Sequence, residues 1–145
     1  MNTVKRWGNC TNDRCTTDDI FDDTPLITAA RNGHVELVRV LLEDGANVET
    51  VNNFQETALH RATYYGQLEV CRLLLDWGAK VDPLDILRDT PLYYAANKGN
   101  LSMVKLLVER GADVKLRNNK GQTASDVARI NGKENVAKWL DLVSR

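Results

Sequence analysis

Apolar and polar residues between positions 34 and 42 follow one another at the spacing of an amphipathic helix. The apolar residues fall on one side of that helix, whereas Glu36 and Arg39 fall on the other. Residues 68–75 and 101–108 repeat the pattern. Each of these segments is followed by glycine and preceded by a shorter apolar helix that begins after threonine. The pattern predicts a repeated unit of helix, turn, helix and hairpin-like loop.

The same residue types return at a fixed interval of 33 positions, and we call each such set a column. The columns are Thr24, Thr57, Thr90 and Thr123; Gly33, Gly66, Gly99 and Gly132; Ala29, Ala62, Ala95 and Ala128; and Gly45, Gly78 and Gly111. Self-similarity with a period of roughly 20–50 residues is typical of stacked repeat architectures. One unit cannot bury its apolar face alone, so neighbouring units must stack.

Within a unit, each threonine predicts the start of a helix. Thr24 is a side-chain N-cap, and Pro25 at the first helical position gives up a donor that the helix could not use. Gly33 ends the helix at a place where a left-handed residue is favoured. The alanines of the first helix let a neighbouring helix approach closely.

Three segments carry the residues that indicate a family. They read TPLITAARNGH, TALHRATYYGQ and TPLYYAANKGN, and each is followed by a leucine-rich helix and Gly-Ala-x-Val. They resemble the ankyrin repeat over a single domain at about residues 19–145. The resemblance implies an all-α ankyrin-repeat solenoid, with a helix-turn-helix and a hairpin loop per repeat, that binds proteins through its hairpin tips and inner helices. The repeats cover about residues 24–56, 57–89 and 90–122, and a C-terminal capping repeat covers 123–145.

The C-terminal repeat carries polar residues in columns that are mostly apolar elsewhere. These residues are Ser125, Arg129, Glu134 and Asp141. Terminal repeats need a face that can meet water. We therefore expect the stack to end here with a polar face.

The N-terminal side lacks such a face, because Val35 and Leu37 stay apolar. Residues 1–18 match none of the repeat columns. Three roles are open for them: they cover the apolar side through Val4 and Trp7, they form a disordered tail, or they are the cut end of a longer array.

One hairpin column departs from the family's preference for glycine. Gly121 occupies it in one repeat, but Asp22, Gln55 and Arg88 occupy it elsewhere. If the turn needs a positive φ, these three residues are tolerated less well than glycine. We expect slightly reshaped hairpins.

Composition narrows the class of protein. The chain has 145 residues and a net charge of −1, so no global field would hold it on nucleic acid or on an acidic membrane. No apolar run approaches the ~20 residues that cross a bilayer, and the start of the chain lacks the apolar core of a signal peptide. Three cysteines are an odd and sparse set that favours a reducing compartment. We expect an intracellular protein of the cytoplasm and/or nucleus.

Residues that could support catalysis are few. The resemblance implies that His60 bonds the backbone and the neighbouring threonine, and His34 lies in a column where other polar residues serve equally well. Cys10 and Cys15 lack the second pair of ligands that zinc needs, and Cys71 falls in a core column. We expect no enzyme activity, no cofactor and no metal site.

Positions that the fold leaves free predict a partner-binding surface. Two tyrosines, a tryptophan and several apolar hairpin residues gather around the second and third repeats, and clustered aromatic residues are typical of binding hot spots. The candidate residues are Val51, Asn53, Phe54, Glu56, Tyr64, Tyr65, Trp77, Leu84, Ile86, Leu87, Asp89, Asn97, Lys98 and Arg117. Phe54 and Leu87 have an alternative role, in which they pack inward beneath the hairpins.

Charges flank this apolar centre. Acidic residues lie at one end and basic residues at the other: Asp22, Asp23 and Glu56 against Lys98, Lys115, Arg117 and Lys120. Charges at the rim of an interface orient a partner more than they hold it. The gradient predicts a partner with complementary charges.

These features favour a non-enzymatic module that binds one or more unidentified proteins through the concave face of repeats two and three, and neither nucleic acid nor a membrane. A first alternative is a regulatory inhibitor of a kinase or a transcription factor. Some cyclin-dependent kinase inhibitors have a similar number of ankyrin repeats but a shortened second repeat, whereas Thr57 to Val81 is full length here. A second alternative is an assembly protein that self-associates through its uncapped N-terminal side.

Overall fold

The computed structural model describes residues 21–144, which form eight α-helices joined by turns and hairpin loops. The helices are α1 (Pro25–Arg31), α2 (Val35–Glu43), α3 (Ala58–Tyr64), α4 (Leu68–Asp76), α5 (Pro91–Lys98), α6 (Leu101–Glu109), α7 (Ala124–Ile130) and α8 (Glu134–Val143). Within this range the chain forms no β-strand. Shorter and longer helices alternate, so the predicted all-α repeat architecture is confirmed.

The helices form two rows. α1, α3, α5 and α7 contact one another in sequence as the inner row, and α2, α4, α6 and α8 form the outer row. Each inner helix also packs against the outer helix of its own repeat. Leucines such as Leu59, Leu74, Leu92 and Leu107 are fully buried between the rows, with the small alanine column beside them. One side of the inner row packs into this core, so its other side faces the hairpin tips.

The threonine column caps three of the four inner helices. The Oγ1 atoms of Thr24, Thr57 and Thr123 accept a hydrogen bond from the backbone N–H three residues later, at 3.2, 3.3 and 3.3 Å. The predicted side-chain cap is wrong for Thr90, whose hydroxyl caps no N–H within the described chain. There the N–H of Tyr93 donates to the Thr90 carbonyl oxygen at 3.0 Å instead.

The hairpin turns do require a positive φ. Gly121 has a φ of 73°, and the equivalent residues Asp22, Gln55 and Arg88 have values of 56°, 62° and 66°. Left-handed backbone costs a residue with a side chain roughly 1–2 kcal/mol. Three turns therefore keep the glycine geometry without glycine.

The C-terminal repeat exposes the polar residues Arg129, Glu134 and Asp141, but it also exposes the apolar residues Ile130, Leu142 and Val143. Arg129 and Asp141 are exposed, and their ion pair spans 2.5 Å between Nη2 and Oδ2. Ser125 differs from the expectation because it is buried, and its hydroxyl donates to Oδ1 of Asp141 at 2.5 Å. The polar columns thus bond one another as well as facing water.

The N-terminal side of the described chain exposes apolar residues on α2. Leu37 and Val40 are about half exposed, whereas Val70 and Leu73 in the same columns of α4 are buried. In the later repeats these columns are buried, except for Trp139 of α8, which is partly buried. Residues 1–18, to which the sequence left three roles, lie outside the described residues.

Candidate partner-binding groove

A cavity of about 590 Å³ lies between the inner helices and the hairpin tips, and we call it the central groove. It is lined by Phe21, Phe54, Glu56, Arg61, Tyr64, Asp85, Ile86, Leu87, Asp89, Tyr93, Tyr94, Asn97, Asn118, Asn119, Lys120, Gln122, Val127, Ile130 and Asn131. These residues come from three inner helices and four consecutive hairpins. The groove is therefore a product of stacking and belongs to no single repeat.

Apolar side chains from two hairpins form one wall of the groove. Ile86 and Leu87 are 57% and 58% exposed, so they remain available at the tip of the hairpin between α4 and α5. Phe54 is partly buried and packs on Phe21 with ring centroids 4.8 Å apart. The alternative inward role therefore applies in part to Phe54, and Leu87 points to solvent.

Tyrosines and two cations form a cluster at the N-terminal end of the groove. The ring of Tyr64 lies 5.0 Å from that of Tyr65 and 6.0 Å from that of Tyr94. The Arg61 guanidinium stacks over Tyr65 at 5.1 Å, and the ammonium of Lys98 lies 4.3 Å from the centre of the Tyr64 ring. Such cation–π contacts contribute about 0.5–2 kcal/mol each. Tyr64 and Tyr65 therefore help to hold Arg61 as well as shaping the surface.

Of the fourteen residues predicted for partner binding, seven line the central groove. They are Phe54, Glu56, Tyr64, Ile86, Leu87, Asp89 and Asn97. The other seven lie outside its lining: Val51, Asn53, Tyr65, Trp77, Leu84, Lys98 and Arg117. Tyr65 and Lys98 still border it through Tyr64. Glu56 differs from the expected surface role because it is buried.

Trp77 is separate from the tyrosines with which the sequence grouped it. It caps the C-terminus of the outer helix α4 and is nearly half exposed there. The aromatic contacts of the cluster join Tyr64, Tyr65, Tyr94 and His60. Trp77 therefore belongs to a different part of the surface.

An asparagine orders the hairpin that precedes α3. Oδ1 of Asn52 accepts hydrogen bonds from the N–H groups of Phe54 and Glu56 at 2.9 and 3.0 Å. Its Nδ2 donates to Oδ1 of Asp23 and Oε1 of Glu56 at 2.8 and 2.9 Å. The side-chain amide thus closes its own turn and bridges two carboxylates from neighbouring hairpins.

The hairpin that precedes α7 is ordered in the same way, 66 residues further on (52 to 118). Oδ1 of Asn118 accepts from the N–H groups of Lys120 and Gln122, at 2.9 and 3.1 Å. Its Nδ2 donates to Oδ1 of Asp89 and Oε1 of Gln122, both at 3.1 Å. The amide bridge is therefore a repeated device of this chain.

The hairpin between them carries Asp85 in the same column. Oδ1 of Asp85 closes the turn by accepting from the N–H groups of Leu87 and Asp89, both at 2.9 Å. Its other carboxylate oxygen, Oδ2, can only accept hydrogen bonds, so it cannot donate to side chains of two hairpins as the amides do. Instead the hydroxyl of Tyr94 lies 2.5 Å from Oδ2 of Asp85 and 2.6 Å from Oε2 of Glu56.

Tyrosines in the floor of the groove are bonded to the hairpins. The Tyr93 hydroxyl lies within hydrogen-bond reach of the carbonyl oxygens of Leu116 and Gln122, and it donates its one hydrogen to one of them at a time. Burial raises the pKa of Tyr93 to about 12, and burial followed by the bonds to the Asp85 and Glu56 carboxylates raises the pKa of Tyr94. Both hydroxyls therefore stay protonated at neutral pH.

His60 has the structural role that the resemblance implied. Its Nδ1 accepts from the N–H of Thr57 at 3.0 Å, so Nε2 carries the proton and donates to the carbonyl oxygen of Asp89 at 2.9 Å. Burial lowers the pKa of His60 below its usual value of 6.5. The ring is therefore neutral near pH 7 and joins the second repeat to the third.

Several groove residues escaped the sequence analysis. Tyr93 and Tyr94 lie in columns of the inner helix that pack against neighbours, and Arg61 and Asp85 were not singled out. One pattern could have revealed Asp85, because the 33-residue step places it between Asn52 and Asn118. The column reads Asp19, Asn52, Asp85 and Asn118, so acids and amides alternate along it.

Residues 21–144 contain no group of three or more His, Cys, Asp and Glu side chains arranged to hold a metal ion. Cys71 is buried in the core, and burial raises the pKa of its thiol to about 12. None of the described helices combines the length and the apolar character that crossing a bilayer demands. Cys10 and Cys15 lie outside the described part of the chain.

Comparison with known families supports the resemblance seen in the sequence. The family model for ankyrin repeats matches the chain in three copies, over residues 2–85 and 81–141. The match begins at residue 2, so it extends further towards the N-terminus than the repeat columns do. No curated protein matches the sequence of this chain.

Proposed function

Because the chain belongs to the ankyrin-repeat family, whose members generally mediate protein–protein interactions, we propose that it is a non-enzymatic module that binds a partner protein through the central groove. The binding surface comprises the inner-helix face and the hairpin tips of the second and third repeats. The partner is a protein, and the proposal requires neither nucleic acid nor a membrane. An intracellular location remains part of this proposal.

The exposed wall formed by Ile86 and Leu87 is the observation that carries the proposal. Two adjacent large apolar side chains at a hairpin tip lose contact with water when a partner covers them, which is favourable. They adjoin a groove that is already shaped by packed tyrosines. A pocket that is formed in advance saves the ordering cost that binding would otherwise incur.

The first prediction is that Ile86→Ser with Leu87→Ser lowers the affinity for the partner at least about 30-fold. Both side chains are exposed, so the melting temperature should stay close to that of the wild type. Affinity capture from the source cells with mass spectrometry would identify the partner, and calorimetry would then give the affinity of each variant.

Leu142→Ser provides the matched control, because Leu142 is also 58% exposed and lies on α8 outside the groove. It should leave capture unchanged. Equal capture by the hairpin variant and the wild type would contradict the proposed site. Replacing Tyr64 and Tyr65 is a less clean test, because both contact Arg61.

The alternative functions use the same scaffold. The helices of the second repeat have seven and nine residues, as do those of the first, so the chain lacks the shortened repeat of the inhibitors considered above. The half-exposed Leu37 and Val40 favour self-association through the N-terminal side. The molecular mass of the full chain in solution, measured over a range of concentrations, distinguishes an assembly protein from a monomeric module.

A further inference from the structure

The middle hairpin of the groove places a carboxylate where its two neighbours place an amide. In those neighbours the Nδ2 atoms of Asn52 and Asn118 each donate to two side chains, from their own hairpin and from the preceding one. Asp85 offers only an acceptor at this position. The side chains in the positions that would receive hydrogen bonds from an amide here, Glu56 of the preceding hairpin and Asp89 of the same hairpin, are also carboxylates.

As a result, three carboxylates line the same groove. Glu56 and Asp89 accept from the amides of Asn52 and Asn118, whereas the Oδ2 atom of Asp85 has only the hydroxyl of Tyr94 among the described residues. Glu56 and Asp85 are both buried, and both contact the hydroxyl of Tyr94. That hydroxyl has one hydrogen, so it donates to one of the two carboxylates at a time. Arg61 offsets the charge of Glu56, from which it is separated by 3.6 Å.

An excess of buried negative charge is costly unless a cation approaches it. The lining contains three carboxylates against the two cations Arg61 and Lys120, and Lys98 lies at its border over the Tyr64 ring. Among residues 21–144, none of these cations forms an ion pair with Asp85, whereas Arg61 pairs with Glu56. His60 contacts the ring of Tyr94 at 5.0 Å but is neutral, so it does not offset this charge. Within the described chain Asp85 is thus a buried carboxylate without a cationic partner, and a positive group from outside would supply one.

The apolar wall beside these carboxylates further restricts the occupant. Ile86 and Leu87 line the same groove as Asp85 and are exposed, so they could cover the aliphatic stem of a long side chain whose charged head reaches that carboxylate. We infer that the central groove takes a segment of a partner protein that inserts a lysine or arginine side chain next to an apolar residue. This inference rests on the proposed function and specifies the chemistry of the partner.

An acidic partner residue is the opposite possibility, because Arg61 Nε has no hydrogen-bond partner among residues 21–144. The geometry favours the basic partner. The Arg61 guanidinium already pairs with Glu56, donates to the Tyr65 hydroxyl at 3.2 Å and stacks over the ring of Phe21 at 4.5 Å. Its Nε atom is also shielded from solvent.

The test uses Asp85→Asn, which introduces at this position the amide found in both neighbouring hairpins. Because Asn52 and Asn118 show that an asparagine fits this turn, the variant should keep or raise the melting temperature. A phage-displayed library of peptides about 12 residues long would be selected on the full-length wild-type protein. We expect enrichment of Lys or Arg beside Leu, Ile, Phe or Tyr, and about tenfold weaker binding of these peptides to Asp85→Asn.

Asp44→Asn is the matched control, because it removes the same charge at an exposed position outside the groove lining. It should bind the selected peptides as the wild type does. If Asp85→Asn lowers the melting temperature, Asp89→Asn serves as the second variant, since its side chain is only partly buried. That variant should also weaken binding about tenfold.

Several outcomes overturn the inference: a selection without a basic preference, a selection without binding peptides, enrichment of Asp or Glu, and equal binding to wild type and both groove variants. The double variant Ile86→Ser with Leu87→Ser distinguishes a failure of this inference from a failure of the proposed function. Peptides that lose binding to Ile86→Ser with Leu87→Ser, but not to Asp85→Asn, would place binding in the groove and refute the basic chemistry. Peptides insensitive to both changes would refute both proposals.

Discussion

The outer helices α2 and α6 carry apolar residues in the same columns, but those columns are buried only in α6. Val40 of α2 is 48% exposed, whereas Leu106 in the same column of α6 is 4% exposed. Leu37 and Met103 differ in the same way, with Met103 fully buried. A column therefore defines which way a side chain faces, and the neighbouring repeat decides whether it is buried.

The strongest test of this comparison is to truncate the side chains of Leu106 and Val40 to alanine. Leu106→Ala should lower the free energy of unfolding by about 2–5 kcal/mol, because it leaves a cavity in a packed interface. Val40→Ala should change it by less than about 0.5 kcal/mol, because this side chain borders solvent among the described residues. Urea denaturation of both variants measures the difference. A large loss in Val40→Ala would show that this face is covered in solution, by the chain itself or by another molecule.

A second column comparison concerns the third helical position, which holds Ile27, His60, Tyr93 and Asp126. Burial lowers the folded-state pKa of His60, so below about pH 6.5 the unfolded chain binds a proton that the folded chain resists. The free energy of unfolding should therefore fall as the pH drops through this window, by at most about 1.4 kcal/mol per pH unit. His60→Gln should be less stable at about pH 7 but lose this part of the pH dependence.

Denaturation of the wild type and His60→Gln at about pH 7 and about pH 5.5 gives the required four values. The change in the free energy of unfolding between the two pH values is then subtracted between the two proteins. The contributions of the titratable groups that both proteins contain cancel in this difference. Identical pH effects in the two proteins would mean that His60 is protonated without cost in the folded state.

The third comparison concerns the turn column. Arg88→Gly should raise the free energy of unfolding by up to about 1 kcal/mol, because the relief of left-handed strain exceeds the added chain entropy of glycine. Gly121→Arg should lower it by about 1–2 kcal/mol, because it introduces the same strain. Urea midpoints of the two variants compare the two hairpins directly. A destabilised Arg88→Gly would indicate that Arg88 contributes a favourable interaction larger than its strain.

The groove contains residues that the sequence indicated and others whose positions only the structure reveals. Ile86 and Leu87 could be selected from the sequence because the fold does not require apolar residues at a hairpin tip, and both are exposed. Their contact with a partner stays a prediction. Trp77 was grouped with Tyr64 and Tyr65 only because all three depart from their columns, and the structure separates them. Glu56 was expected on the surface, but the amide of Asn52 and the hydroxyl of Tyr94 draw its carboxylate inward.

By itself, the sequence determined the repeating helices, the caps at Thr24, Thr57 and Thr123, and the glycine turns. These depend on local backbone chemistry and on a period that can be counted. Only the tertiary structure decided that Tyr94 joins Glu56 to Asp85, and that the same apolar column is exposed in α2 and buried in α6. Both outcomes depend on side chains from different repeats, whose meeting is fixed by how the repeats stack and is not written in any one of them.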